Sequence, residues 1–326
     1  GNSVLGGLAL LNTTTGSNNV AVGYQALNSN TTGYENTAIG FNALYSNKAN
    51  YGSTAIGYNA MYFANSATSG VQTYNIAIGY EALKGSSTPS NNTGTQNIAV
   101  GSSVLYSNTS GGSNTAIGHE ALYDNTTGYR NCAIGSNSLE SNTSGYSNSA
   151  LGNYSLINNT VGYDNVAIGT NALKGNQAKS CNTAIGSGAM YFFNNTSTTG
   201  DAYNTAVGKL ALRGSGTASN TGTGNSVLGG LALLNTTTGS GNVAVGKSSG
   251  STNTTGSNNT FIGYSADVSS NNLSNATAIG YNASVNSNNK VVIGNSSVGT
   301  IGGYASWSNY SDRRLKENIV YTNELG

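Results

Sequence analysis

Asn114-Thr115-Ala116-Ile117-Gly118-His119-Glu120-Ala121-Leu122-Tyr123-Asp124-Asn125-Thr126-Thr127-Gly128-Tyr129-Arg130 is one period of a phrase that fills the chain. Its marker glycine recurs seventeen times, at positions 6, 23, 40, 57, 79, 101, 118, 135, 152, 169, 186, 208, 229, 246, 263, 280 and 294. Of the sixteen steps between markers, eleven are 17 residues, three are 22, one is 21 and the last is 14. A strict short period interrupted by loop-sized additions marks a solenoid, in which each repeat is one coil stacked on the next. The usual inference from length to domain number therefore does not apply, because a solenoid grows in one dimension.

Within each period the residue before the marker glycine is always Ile, Val or Leu. The residue four after it is Leu or Met in every coil from Leu10 to Leu233, and small residues, mostly Ala, stand two before and three after. Apolar runs this short, bounded by Gly and Asn, suit strands joined by tight turns rather than helices. The fold class expected is all-β: a parallel β-solenoid or β-roll of mostly 17-residue coils, with about two strands per coil stacked in register. The Ile and Leu rows are both assigned to the core. Asn-Thr-Thr-Gly supplies a turn in which Gly tolerates positive φ and Asn or Thr bonds the local backbone.

Asn four residues before the marker glycine occurs in fourteen of seventeen coils; the exceptions are Ser53, Ala276 and Lys290. Stacking would align Asn19, Asn36, Asn75, Asn97, Asn114, Asn131, Asn148, Asn165 and Asn182 into an amide ladder along the axis, each bonding its neighbours. This row reads as structural rather than ligand-binding.

Charged residues are only 7% of the chain and the net charge is +1, which gives no electrostatic case for nucleic acid or an anionic membrane. No apolar run approaches the length of a membrane span. Cys132 and Cys181 sit three coils apart, roughly 14 Å at about 4.8 Å per coil, too far for an intrachain disulfide. The single histidine, His119, has no partners for a metal site or a Ser-His-Asp arrangement. The glycines form no phosphate loop. Neither cofactor nor metal is expected. A threonine array of the ice-binding kind is broken, because Thr stands three before the marker in only seven of seventeen coils.

Residues 1–23 recur at 224–246 with one change, Asn18 against Gly241, so the chain opens in mid-repeat and residue 1 is not expected to begin the gene product. The long coils are also paired: Ala-Met-Tyr-Phe at 60–63 returns at 189–192, and Ala-Leu-Lys-Gly at 82–85 returns as Ala-Leu-Arg-Gly at 211–214. The extra residues are expected to bulge as loops on one flank, where repeat proteins often bind partners. Tyr62, Phe63 and Tyr74 in one patch, and Tyr191, Phe192, Phe193 and Tyr203 in the other, are the candidate receptor contacts, with ring faces suited to sugars. One large residue pair plus alanines is a thin core, so lateral packing through an alanine-rich face against identical chains is expected.

After Gly246 the Leu row fails, and residues 295–310, with Trp307, read as a cap or neck beyond a 1–294 shaft. Residues 311–326 then carry six of the 23 charged residues. Ser311-Asp312-Arg313-Arg314-Leu315-Lys316-Glu317-Asn318-Ile319 resembles the opening of the intramolecular chaperone domain of the endosialidase type (peptidase S74), which ends many phage tail fibres and tailspikes. The resemblance implies trimerisation, assisted folding of the shaft and self-cleavage, with Ser311 as nucleophile and Lys316 as its activating partner. The rest of that domain is absent from 311–326, so no residual cleavage is expected, and no other enzymatic constellation is present. Separately, the repeated phrase over 1–294 resembles the Asn-Ser-Val-Ala-Ile-Gly phrase of YadA-like trimeric adhesin heads, parallel β-rolls of 14-residue coils. Both resemblances imply an extracellular or virion-borne trimeric fibre for host attachment, binding a cell-surface receptor that could be a glycan. A viral tail fibre is the first reading, and a bacterial trimeric surface adhesin is the alternative.

Overall fold

The structure, a computed structural model, describes residues 1–302. Gly1–Asn295 form one compact unit and Ser296 opens a second. The first unit is a parallel β-solenoid in which seventeen three-residue strands, one per coil, make a single sheet. Each strand pairs in register with its counterpart in the next coil, as Thr115, Ala116 and Ile117 do with Cys132, Ala133 and Ile134. Like therefore lies on like along the whole shaft, which is what a fixed period with a parallel ladder must produce.

The expected second strand forms only locally. Lys179–Ser180 pairs with Gly200–Asp201, and Asp267–Val268 pairs with Ser284–Val285. Elsewhere the segment after the marker glycine turns rather than extends, because Glu120 and Leu122 sit at φ 54° and 53°. Positive φ recurs at the Leu position from Leu10 to Leu233, in conformations an L-residue seldom adopts. Inter-coil bonding persists all the same. Glu120 N–H donates to Ser102 O at 3.0 Å in the preceding coil, while Leu122 and Asp124 donate to Ser138 O and Glu140 O in the following one. The backbone is thus satisfied by neighbouring coils even where it is not strand, which offsets the local strain.

Two glycine rows are sterically required, for different reasons. Gly118 has φ +130°, and a Cβ there would stand 2.6 Å from Gly135 O in the next coil. The turn glycine Gly128 is not at positive φ, contrary to expectation. It is excluded from bearing a side chain by proximity alone: a Cβ would lie 2.3 Å from Asn125 Oδ1 and 2.4 Å from Gly145 O.

The interior is half hydrocarbon and half amide. Leu27, Leu44, Leu105, Leu122, Leu139, Leu156 and Leu173 are sealed beside the alanine rows. Two expectations about faces are corrected. Successive strand residues point to opposite sides, and the central Ala takes the inner side, so the flanking Ile is forced outward. Ile117 is 38% exposed while Ala116 is fully enclosed. The Ile row is therefore surface rather than core, and the alanines, lying inside, are unavailable for lateral packing.

The Asn row before most strands forms an amide ladder along the shaft, interrupted at Ser53. Asn131 N–H donates to Asn114 Oδ1 at 3.0 Å, and Asn131 Nδ2 donates to Asn114 Oδ1 at 3.2 Å and to Gly145 O at 2.9 Å. The pattern runs through Asn148, Asn165 and Asn182. It also joins Asn19 to Asn36 and Asn75 to Asn97. Where Ser53 replaces Asn, its backbone N–H still bonds Asn36 Oδ1, and its hydroxyl pairs with Thr73.

Candidate functional site

A surface able to meet partners is built from the outward half of each strand. The residue before each marker glycine is apolar and partly or largely exposed, from Val22 through Ile39, Ile78, Ile117, Leu151, Ile168, Leu228 and Val245 to Ile293. Register pairing places these side chains one above another, so they form a continuous apolar ridge along the sheet. Immediately after the glycine, Tyr24, Phe41, Tyr58 and Tyr80 extend the ridge with stacked rings 5.2–5.4 Å apart. A soluble monomer seldom exposes a contiguous apolar surface of this extent.

A second aromatic run comprises the exposed Tyr129 and the half-buried Tyr146 and Tyr163, with centroid spacings of 4.9 and 4.8 Å and rings 1° from parallel. Neither run was singled out from the sequence, although the aromatic residues recur at fixed offsets from the marker glycine and could have been found by that period. In a stack along the axis each ring covers its neighbour's face, so only edges and end faces remain open. Interior rings of these runs therefore present hydroxyls and edges rather than flat platforms.

The sequence-derived aromatic candidates divide in the structure. Tyr62 stacks on Tyr45 at 5.0 Å and meets Phe63 edge-on at 4.6 Å. Tyr74 is exposed, bonds Gln72 and packs beside Gly52. Tyr191 lies edge-on to Phe192 at 4.5 Å, with Lys174 and Arg213 over the two rings. Phe193 is fully buried, which removes it as a receptor contact; its ring is core. Tyr203 is 65% exposed, and its hydroxyl donates to Asp201 Oδ2 at 2.7 Å. Tyr163 donates to Asp201 Oδ1 at 2.9 Å, and the two phenols hold the Asp201 carboxyl below the usual carboxylate range.

Inside the shaft, a second amide ladder went unread in the sequence. It stands seven residues after the marker glycine, where Asn125 Nδ2 donates to Asn108 Oδ1 and Asn142 Nδ2 to Asn125 Oδ1, both at 2.8 Å. Each Nδ2 also reaches the turn glycine carbonyl, as Asn125 does to Gly128 O at 3.1 Å. The sequence signal was the same Asn-Thr-Thr-Gly taken there as a local turn.

Ser311, Lys316 and Trp307 lie outside the described residues. Among the described residues no group of three or more His, Cys, Asp and Glu side chains could hold a metal ion, and no helix is long and apolar enough to cross a membrane. His119 is exposed, with Nδ1 3.5 Å from Glu120. Comparison of the chain with known protein families and with curated protein sequences found no match.

Proposed function

We propose that this chain is the shaft of a homotrimeric attachment fibre, of the viral tail-fibre kind, that engages a receptor on a host cell surface. The observation that carries the reading is the apolar ridge of Ile, Val and Leu on the outer sheet face, unbroken from coil to coil. Covering it with the same ridge of another copy removes apolar surface from water along the whole shaft. Threefold rather than twofold packing comes from the resemblance of the repeated phrase to trimeric adhesin heads. The low charge and neutral flanks suit many weak lateral contacts, which parallel copies convert to avidity.

The test is attachment of fluorescently labelled protein to a panel of bacterial cells. Decoration of at least one strain is expected, and its loss in an assembly-breaking variant, Ile117→Lys with Ile168→Lys. Absence of decoration on every strain, or equal decoration by the variant, would contradict the reading.

A further inference from the structure

The 129-residue repeat of the long coils gives the shaft two versions of one surface, with Tyr62-Phe63 answering Tyr191-Phe192 and Lys84 answering Arg213. Both aromatic pairs meet edge-on, with ring centroids 4.6 and 4.5 Å apart. In the first copy the cation is neutralised within the chain. Lys84 Nζ donates to Glu81 Oε1 at 2.7 Å, and Asn59 Nδ2 donates to the same oxygen at 3.4 Å.

The second copy keeps the aromatic pair and removes the acid. Leu210 stands in place of Glu81, and Gly188 in place of Asn59. Leu210 leans into the space that Gly188 leaves, since a Cβ on Gly188 would stand 2.6 Å from Leu210 Cδ2. Cations are also added, with Lys174 for Tyr45 and Lys209 for Tyr80. Lys174 Nζ lies 5.2 Å from the Tyr191 ring centre and 5.7 Å from that of Tyr154, and Arg213 Cζ lies 5.9 Å from that of Phe192. Neither cation forms an ion pair among the described residues. Asp201, the one acid between them in the chain, accepts from Tyr163 and Tyr203 instead. Lys174 and Arg213 are both half-buried. A partly desolvated cation with no counter-charge has given up hydration for little beyond its ring contact. On flanks that are elsewhere close to neutral, an anion is the missing partner.

We propose that the surface formed by Lys174, Tyr191, Phe192 and Arg213 binds the carboxylate of an acidic sugar, a hexuronic acid unit of a cell-surface polysaccharide. The Lys174 ammonium and the Arg213 guanidinium supply charge-assisted donors to the carboxylate. Tyr154, 43% exposed beside Lys174, offers a ring face to sugar C–H groups. Leu210 takes away the like charge that Glu81 presents in the first copy, where Lys84 is already occupied. The proposal rests on the attachment reading and assigns the receptor chemistry to one height on the shaft.

The experiment is calorimetric titration of the full chain with tri-galacturonate and tri-mannuronate, with maltotriose as the neutral control and inorganic phosphate as the small-anion control. At least one of the two acidic trisaccharides is expected to bind at one site per chain, with affinity that falls as salt is raised. Leu210→Glu and Lys174→Tyr each install the residue of the first copy. Each is expected to weaken binding by about tenfold or more with an unchanged circular dichroism spectrum, so one decides the matter if the other fails to fold. Equal binding of maltotriose or of phosphate, undiminished binding by a folded variant, or no binding of either acidic trisaccharide would overturn the proposal. If neither binds while labelled protein still decorates cells, the site assignment fails and the attachment reading stands. Binding of an acidic trisaccharide without decoration of any strain would keep the site and remove the attachment reading.

Discussion

Ala116 and Ile117 are adjacent on one strand and face opposite sides of the sheet, the alanine enclosed and the isoleucine 38% exposed. Repeated along the shaft, with Ala at the central position in thirteen of the seventeen strands, that alternation turns a local rule of strand geometry into an apolar ridge on the outside and a mostly small-residue row within. The side with no room is the inner one. Replacing Ala116 by Ile is expected to overpack the coil and destabilise it by about 1–3 kcal/mol. Chemical denaturation of Ala116→Ile checks this; a change below 0.5 kcal/mol would mean that the interior is looser than its geometry.

The amide ladder is a stability element whose failure should be steep. Asn131→Ala would leave the Asn148 backbone N–H and one Asn148 amide proton without the acceptor they share, while Gly145 O would keep its bond from Asn142 Nδ2. An unsatisfied buried group costs about 1–3 kcal/mol, so a loss in that range or above is expected. Hydrogen exchange should accelerate most at Asn148. Uniform exchange with unchanged melting would show that water replaces the amide at little cost.

The two glycine rows separate handedness from proximity. Gly118→Ala meets both an unfavourable φ and a backbone carbonyl in the next coil, whereas Gly128→Ala meets close neighbours only, one of them the Asn125 side chain. Both should destabilise, because each meets a backbone carbonyl of the next coil, and Gly118→Ala should do so more, since it alone adds a backbone conformation unfavourable to an L-residue. Melting temperatures of the two single variants decide the order.

Asp267 gives a pH dependence of defined sign. Burial raises its carboxyl above the ordinary aspartate value, opposed by donation from the Thr252 and Val268 backbone N–H groups and from the side chains of Thr252 and Ser251. The folded chain therefore binds the proton more tightly than the unfolded one. The stability contribution of this group rises as pH falls through the folded pKa and levels off below the unfolded value of about 3.9. Relative to Asp267→Asn, the wild-type chain should gain melting temperature on acidification across that window. A gap that widens in favour of the variant would contradict the assignment.

Much of the fold was legible because the period carries it. The marker glycine, the Leu row ending at Leu233 and the Asn row with its gap at Ser53 each follow from stacking like upon like. What stayed hidden depends on choices the period leaves free. A three-residue strand has one inner position and two outer ones, and Thr-Ala-Ile does not say whether Ala or the larger Ile turns inward. Left-handed Leu122 has no sequence mark, because handedness there is set by the inter-coil hydrogen bonds rather than by Leu itself. Asn125 was legible as a turn residue but not as a ladder, since both roles use the same amide. Phe193 carries no mark in the sequence that separates its enclosed ring from the half-buried Tyr191 and Phe192 beside it.

The most direct test of the central claim is the native mass in solution by light scattering, with Ile117→Lys and Ile168→Lys measured alongside. A mass of about three times 32.9 kDa for the wild-type chain is expected, falling to one chain in the double variant with its circular dichroism spectrum retained. A wild-type chain that stays monomeric with the ridge exposed would contradict the account of this protein as a laterally assembled fibre.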